Sequence, residues 1–286
     1  MALATPRTVA RNAARLTGLI EFIFRRTDRS GDIFPADASV GIVDGLDPER
    51  VFVFGESNAV GLGVLTHELG FVGQFSRKRA ASVRRGAYWS AAPVPGHRIA
   101  GAPAFVTENV ASLADANVVI VMLGITDTLM LTKRASWTQH MTELVDGLLA
   151  VVPARARILL TEIPPMDNAG SISPMARLAA GHQARMFNAA TRRIVADRPQ
   201  TLTVRFPQEL RQKLWVPESR ETSYAHMYAV WARAAVETLA ADDAFTARLL
   251  LSLQLGEELR PAAVENSAAP ANTNDKQGAP KHRAHE

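Results

Sequence analysis

From Arg50 onward, short apolar runs alternate with longer segments of helical spacing, and few folds accept that order. The runs are Val51–Phe54, Ala87–Ala91, Val118–Leu123, Ile158–Ile163 and Leu202–Phe206. Apolar residues at helical spacing fall near residues 65–82, 99–112, 136–151, 176–197 and 224–240. Strand, helix, strand in repetition predicts a parallel sheet, because parallel neighbours need a crossover long enough to bring the chain back. Right-handed crossovers put helices on both faces, so the expectation is α/β, a three-layer α/β/α domain around a central parallel sheet of about five strands.

The first run leads directly into Gly55-Glu-Ser-Asn-Ala-Val-Gly-Leu-Gly63. Gly55, Gly61 and Gly63 let the backbone turn sharply and lie close to a bound group. Ser57 is thereby set at the carboxyl end of a strand, where open α/β sheets carry their sites. The plainer role for such a serine is to cap the next helix.

The ends of the chain read differently. In residues 1–30, Arg7, Arg11, Arg15, Arg25, Arg26 and Arg29 stand against Glu21 and Asp28, which accounts for the whole formal excess of +4. The rest of the 286-residue chain is balanced, and no nucleic-acid motif accompanies the basic segment, so no nucleic-acid partner is expected. Val9, Ala13, Leu16, Ile20 and Ile23 recur at helical spacing, predicting a basic amphipathic helix over residues 6–26 with a linker to residue 49. Its apolar stripe suits the protein's own core or a partner chain, and its basic face also suits an anionic membrane surface. Residues 50–240 form the main domain, 241–260 a short further helix, and the Ala-, Pro- and Asn-rich stretch 261–286 a disordered tail. The Leu16–Phe24 run is broken by Glu21 and falls short of the ~20 residues that span a bilayer, so cytoplasmic residence is expected, peripheral at a membrane at most.

With no cysteine in the chain, disulfides, thiolate metal sites and a cysteine nucleophile are excluded. The glycine-rich loop has neither the P-loop ending nor the dinucleotide-binding spacing. Histidines and acids are not clustered at metal-ligand spacing, and His282 and His285 in the tail are too sparse to claim. No cofactor and no metal are expected.

Gly55-Glu-Ser-Asn-Ala-Val-Gly-Leu-Gly-Val64 resembles the first block of the SGNH/GDSL hydrolases, which usually reads Gly-Asp-Ser, so that Glu56 is a mild departure. The resemblance extends through Val118-Val-Ile-Val-Met-Leu-Gly-Ile-Thr-Asp-Thr-Leu129, Thr161-Glu-Ile-Pro-Pro-Met166 and Tyr228-Ala-Val-Trp-Ala232. It implies a flavodoxin-like layering and hydrolysis of a small-molecule ester or acylated substrate, with Ser57 as nucleophile. Ester hydrolysis by serine requires a base for the hydroxyl proton, a group that orients the base, and donors for the oxyanion.

In that family the donors are the serine N–H, the N–H of a second-block glycine and an asparagine amide of the third block. Gly96, in Pro93-Val-Pro-Gly-His97, falls at the glycine position, with Pro93 and Pro95 stiffening its loop. The third block reads Gly124-Ile-Thr-Asp127, so Thr126 replaces the asparagine and its shorter hydroxyl is expected to supply part of that donor, while Asp127 is expected to be structural. The Asp-x-x-His motif falls on Ser219-Arg-Glu-Thr222, where neither acid nor base is present. His226 is the provisional replacement base, with Ser223 three residues before it and Glu218 and Glu221 nearby; His97 is a second candidate. Either histidine also suits a surface position bonded to backbone or water. Two functions are carried forward: a serine ester hydrolase, and a catalytically degraded relative that keeps the pocket for ligand binding or serves as a scaffold.

Overall fold

The computed structural model describes residues 33–168, 174–211 and 223–258. The basic N-terminal segment, Ser219–Thr222 and the C-terminal tail lie outside the described residues. The chain divides into two compact units, Met1–Ala240 and Ala241–Glu286.

The first unit holds six strands: β1 (Val40–Val43), β2 (Glu49–Gly55), β3 (Ala87–Pro93), β4 (Val118–Met122), β5 (Arg157–Thr161) and β6 (Thr201–Val204). Their order across the sheet is β1-β3-β2-β4-β5-β6, parallel except for β1, which runs antiparallel to β3. Among the described residues the helices are α1 (Phe71–Val83), α2 (Ala102–Glu108), α3 (Val110–Ala114), α4 (Ile125–Leu129), α5 (Arg134–Val151), α6 (Pro174–Ala196), α7 (Gln208–Arg211) and α8 (Tyr224–Glu258). Within the second unit the described residues are helical, and Phe245 is exposed. No helix among the described residues is long and apolar enough to cross a membrane.

The central strand forms where the sequence is β-branched and apolar on both faces, Val-Val-Ile-Val-Met of β4, every residue of which is buried. Alternate side chains go to opposite layers. Phe52 and Phe54 pack with Phe105, Trp137 and Leu144, whereas Val51 and Val53 pack with Phe71, Tyr228 and Trp231. On the first face the rings of Trp137 and Phe187 stack at 4.3 Å; on the second, Trp231 meets Phe71 edge-on. The three-layer expectation therefore holds, with six strands in place of about five.

β1 lies in the stretch read from sequence as linker. Gly41 was the misleading signal. It faces Trp89 across the β1–β3 pairing, and a Cβ there would approach Trp89 Cζ2 to 2.1 Å, so the glycine makes room for an indole instead of breaking the strand. The expected helix near 99–112 is two helices, because Asn109 leaves helical geometry and its amide donates to the Phe105 carbonyl. At the C-terminal end, one helix, α8, covers the two helical stretches expected from the sequence; Ala-Ala-Asp-Asp-Ala at 240–244 contains no helix breaker.

The end of the sheet opposite the strand C-termini is fixed by a buried ion pair. Arg79 of α1 donates to both carboxylate oxygens of Glu49 at the start of β2, at 2.9 and 3.1 Å, with both side chains 7% exposed. Arg85 adds a 3.4 Å bond to Glu49 and a 2.8 Å pair with Asp47. Removing one member strands a desolvated charge, which costs more than the pair contributes. Glu49→Ala is expected to lower unfolding free energy by about 3–5 kcal/mol, and Glu49→Leu combined with Arg79→Met to recover most of it. Urea denaturation of the three proteins checks both values.

Candidate functional site

The sheet changes direction of growth at β2. The chain passes from β2 to β3 on one side and then crosses to β4 on the other, so the C-terminal ends of β2 and β4 flank the crevice at which open α/β sheets bind ligands. Gly55 permits the two strands to approach there; a Cβ on it would lie 2.0 Å from the Met122 carbonyl oxygen. The Glu56 N–H donates to that same carbonyl at 2.9 Å.

Ser57 follows, half-buried. Its carbonyl accepts the N–H groups of Val60 and Leu62, which closes the serine loop on itself. Gly61 and Gly63 both adopt φ of +83°, and a Cβ on Gly63 would enter the Tyr224 ring at 2.2 Å. These turns and the packing under α8 replace the start of the helix expected from residue 65. The Tyr228 hydroxyl holds the loop from below, donating to Leu62 C=O at 2.7 Å and lying 3.4 Å from Asn58 Oδ1. Burial pushes the Tyr228 phenol well above its ordinary range, so it remains a donor.

The second loop leaves β3 beside the first, with Val94 N–H donating to Gly55 C=O at 2.7 Å. Gly96 at φ +69° and His97 at φ +53° are consecutive left-handed residues, both exposed. Asp127 of α4, fully buried, pins the far side of this loop. It accepts the Ile99 N–H at 2.7 Å, the Thr132 hydroxyl at 2.6 Å and Arg98 Nε at 3.4 Å, and Arg98 Nη2 also reaches Thr132. Asp127 therefore braces one loop against another.

The third loop turns at Gly124, whose φ of +124° and contact with Ile163 exclude a side chain. It delivers the first turn of α4 onto the Glu56 carboxylate. Oε1 accepts Ile125 N–H at 2.7 Å; Oε2 accepts both Thr126 N–H at 2.8 Å and Thr126 Oγ1 at 2.7 Å. The carboxylate thus takes N–H groups that a helix start leaves without partners. Burial dominates its titration and raises it to about 7, with the Asp127 charge adding to the rise, against the pull of the Thr126 and Ile125 donors.

The sequence-derived residues separate into two groups. Ser57, the Gly96 loop and Thr126 follow the C-terminal ends of β2, β3 and β4, the first two loops joined by Val94 N–H to Gly55 C=O and the first and third by Glu56, to which the Thr126 hydroxyl proton is directed. His226 stands exposed on the first turn of α8, where its N–H donates to Ser223 Oγ at 3.1 Å and its ring makes no hydrogen bond among the described residues. The ring of His97 is likewise without a hydrogen bond among them. Sequence reading missed the bridging role of Glu56 and the support from Tyr228. The Gly-Glu-Ser departure marked the first position, but its partner lies about 70 residues away. Among the described residues no three histidine or acidic side chains converge on a metal-sized site.

The Glu56 assignment predicts a pH effect of defined sign. A carboxyl raised from 4.5 to about 7 on folding stabilises the native state most below pH 4.5, and that contribution is lost as pH rises through about 7. Glu56→Gln, which carries no charge to bury, is expected to gain on the wild type by about 3 kcal/mol between pH 4.5 and pH 8. Chemical denaturation of both proteins across that range measures the difference.

No family model and no curated protein sequence matches the chain. Solved structures do. The lipase Lip_vut3 from a goat rumen metagenome aligns with a TM-score of 0.55 at 15% identity, over 68% of this chain and 97% of that one. TesA aligns with a TM-score of 0.51 at 20% identity, over 68% and 99%. A member of the lipolytic G-D-S-L family from Veillonella parvula aligns with a TM-score of 0.51 at 14% identity, over 67% and 98%. At these identities the likeness establishes the fold, and that fold is the one found in lipolytic SGNH/GDSL enzymes.

Proposed function

We propose that this SGNH-fold chain is a serine hydrolase that cleaves a carboxylic ester through an acyl-Ser57 intermediate. The observation that supports the reading is the tying together of three loops at the C-terminal end of the sheet: the braced loop of half-buried Ser57, the Gly96 loop joined to it at Gly55, and the first turn of α4 joined to it at Glu56. The lipase and lipolytic names of the structural neighbours support the same chemistry.

Ser57 Oγ attacks the ester carbonyl carbon while its proton passes to a base, for which His226 is the candidate on α8 and His97 the alternative on the second loop. The oxyanion is held by the backbone N–H groups of Ser57 and Gly96. Collapse of the tetrahedral species expels the alcohol, which takes the proton back; water then attacks the acyl-enzyme by the same route and releases the acid. Thr126 gives its hydroxyl to Glu56 in the resting protein, so the oxyanion is met by two backbone donors. The absence of a third typically costs on the order of 100- to 1000-fold. A slow enzyme follows, acting on small acylated molecules without a cofactor.

A second reading is favoured by the exposure of His226, whose ring has no hydrogen-bond partner among the described residues: the crevice binds an acyl or glycan ligand, or serves as a scaffold, without turnover. Fluorophosphonate labelling with p-nitrophenyl acetate turnover separates the two. Labelling and turnover are expected in the intact protein, to be lost in Ser57→Ala and to fall by about 1000-fold or more in His226→Ala or, if the second loop supplies the base, in His97→Ala. Absence of labelling in the folded protein overturns the hydrolase reading in favour of the second.

A further inference from the structure

At its β1 edge the sheet is covered on one face only. On that face Trp89 and Ala91 of β3 pack with Phe71 and Phe75 of α1. The other face carries two rows across the strands, set by register: Val40, Ser90 and Phe52, then Ile42, Tyr88 and Arg50. Phe52 is buried, but the outer members of the rows are uncovered among the described residues, with Val40 61% and Ile42 63% exposed and Tyr88 exposed beside them. Together with Ala111 and Ser112 of α3, the rows line a concave groove of about 700 Å³.

A second groove, of about 490 Å³, adjoins the first where β2 begins, and Arg50 and Asp115 line both. Its character is the reverse: Arg85 and Arg155 join Arg50 in its walls, with Asp47 and Asp115 as the acids. Arg85 is engaged by Asp47 and Glu49, and Glu49 is also matched by Arg79. Arg50 is held differently. Its N–H is fixed to Asn117 Oδ1 at 2.8 Å and its guanidinium lies 5.7 Å from the centre of the Tyr88 ring, with no carboxylate bonded to it among the described residues. Arg155, just before β5, likewise has no ion pair among them. Three arginines against two acids leave one positive charge over, at the junction of an apolar groove and a polar one.

Concave sites of several hundred Å³ hold small molecules, whereas a second copy of the chain would cover the apolar rows and leave the surplus cation without a partner. An uncharged tail satisfies the first groove alone and a bare anion the second alone. Only an amphipathic anion satisfies both, and guanidinium forks match a carboxylate. We propose that the two grooves together bind a single-chain aliphatic carboxylate, its tail along Val40, Ile42 and Tyr88 and its head between Arg50 and Arg155. The head lies where β2 begins, at the end of the sheet away from Ser57, and the proposal does not rest on ester hydrolysis.

Calorimetric titration of the full-length protein with dodecanoate, kept below micelle formation, tests the proposal, with dodecanol and dodecyltrimethylammonium as the uncharged and cationic counterparts. Dodecanoate is expected to bind, and the other two to bind about tenfold more weakly or worse. Arg50→Gln and Arg155→Gln are each expected to weaken dodecanoate binding by about tenfold. Ile42→Asp, which removes a tail contact and adds a negative charge, is expected to weaken it by about tenfold or more. All three side chains are exposed, so melting is expected to stay unaltered. Ser57→Ala is expected to bind as the wild type does, which keeps this result separate from the hydrolase reading. Failure of dodecanoate to bind overturns the proposal, as does equal binding of the alcohol or the cation. Binding that survives both Arg50→Gln and Ile42→Asp assigns dodecanoate to another surface, the serine crevice included, and overturns it as well. A dimer that takes up no dodecanoate and becomes monomeric in Ile42→Asp gives this face to a second copy of the chain instead.

Discussion

The arrangement of the crevice depends on one carboxylate. Glu56 leaves the end of β2, turns inward and takes three donors from the first turn of α4, so that two chain segments about 70 residues apart are fixed within hydrogen-bond distance. Burying a charge is costly unless it is satisfied, and even three donors do not offset the burial here. The interaction's return is positional: it ties the start of α4 to the serine loop. Gly55 and Gly124 make it sterically feasible, one by letting β2 approach β4 and the other by turning the chain toward the carboxylate.

Around that contact the remaining braces share a design. Asp127 reaches the main chain at Ile99, and Tyr228 reaches the main chain at Leu62. The loops are thus held by their peptide groups, from elements on both faces of the sheet. Arg98 and Thr132 complete the Asp127 cluster, and Ile163 closes over Gly124. These contacts place the crevice on rigid supports although its own residues lie in loops.

How much of this was legible in the sequence followed the range of the interactions. The parallel strands were readable because each is a short local run, apolar and buried throughout in β4 and mostly so in β2 and β5. β1 was not, since Gly41 looks like a break until Trp89, nearly fifty residues on, is seen across from it. At Asn109 the side-chain amide joins the backbone N–H on the Phe105 carbonyl as the helix ends, which spacing does not reveal. At the site, the strand-to-glycine transition located Ser57, and Gly124-Ile-Thr-Asp127 located the third loop. The destination of the Thr126 hydroxyl was hidden, because it is decided by where Glu56 folds. His226 was chosen for lying four residues beyond Thr222, and position along the chain carries no information about the exposure it has on α8.

The use of peptide groups as the anchoring points has a consequence for descent. Asp127 and Tyr228 restrain the backbone and place no demand on what side chain is displayed at position 226, whereas the left-handed φ of Gly96 and His97 limits what can stand there. A lineage built on this scaffold can therefore exchange the exposed side chain at position 226 with little penalty in folding.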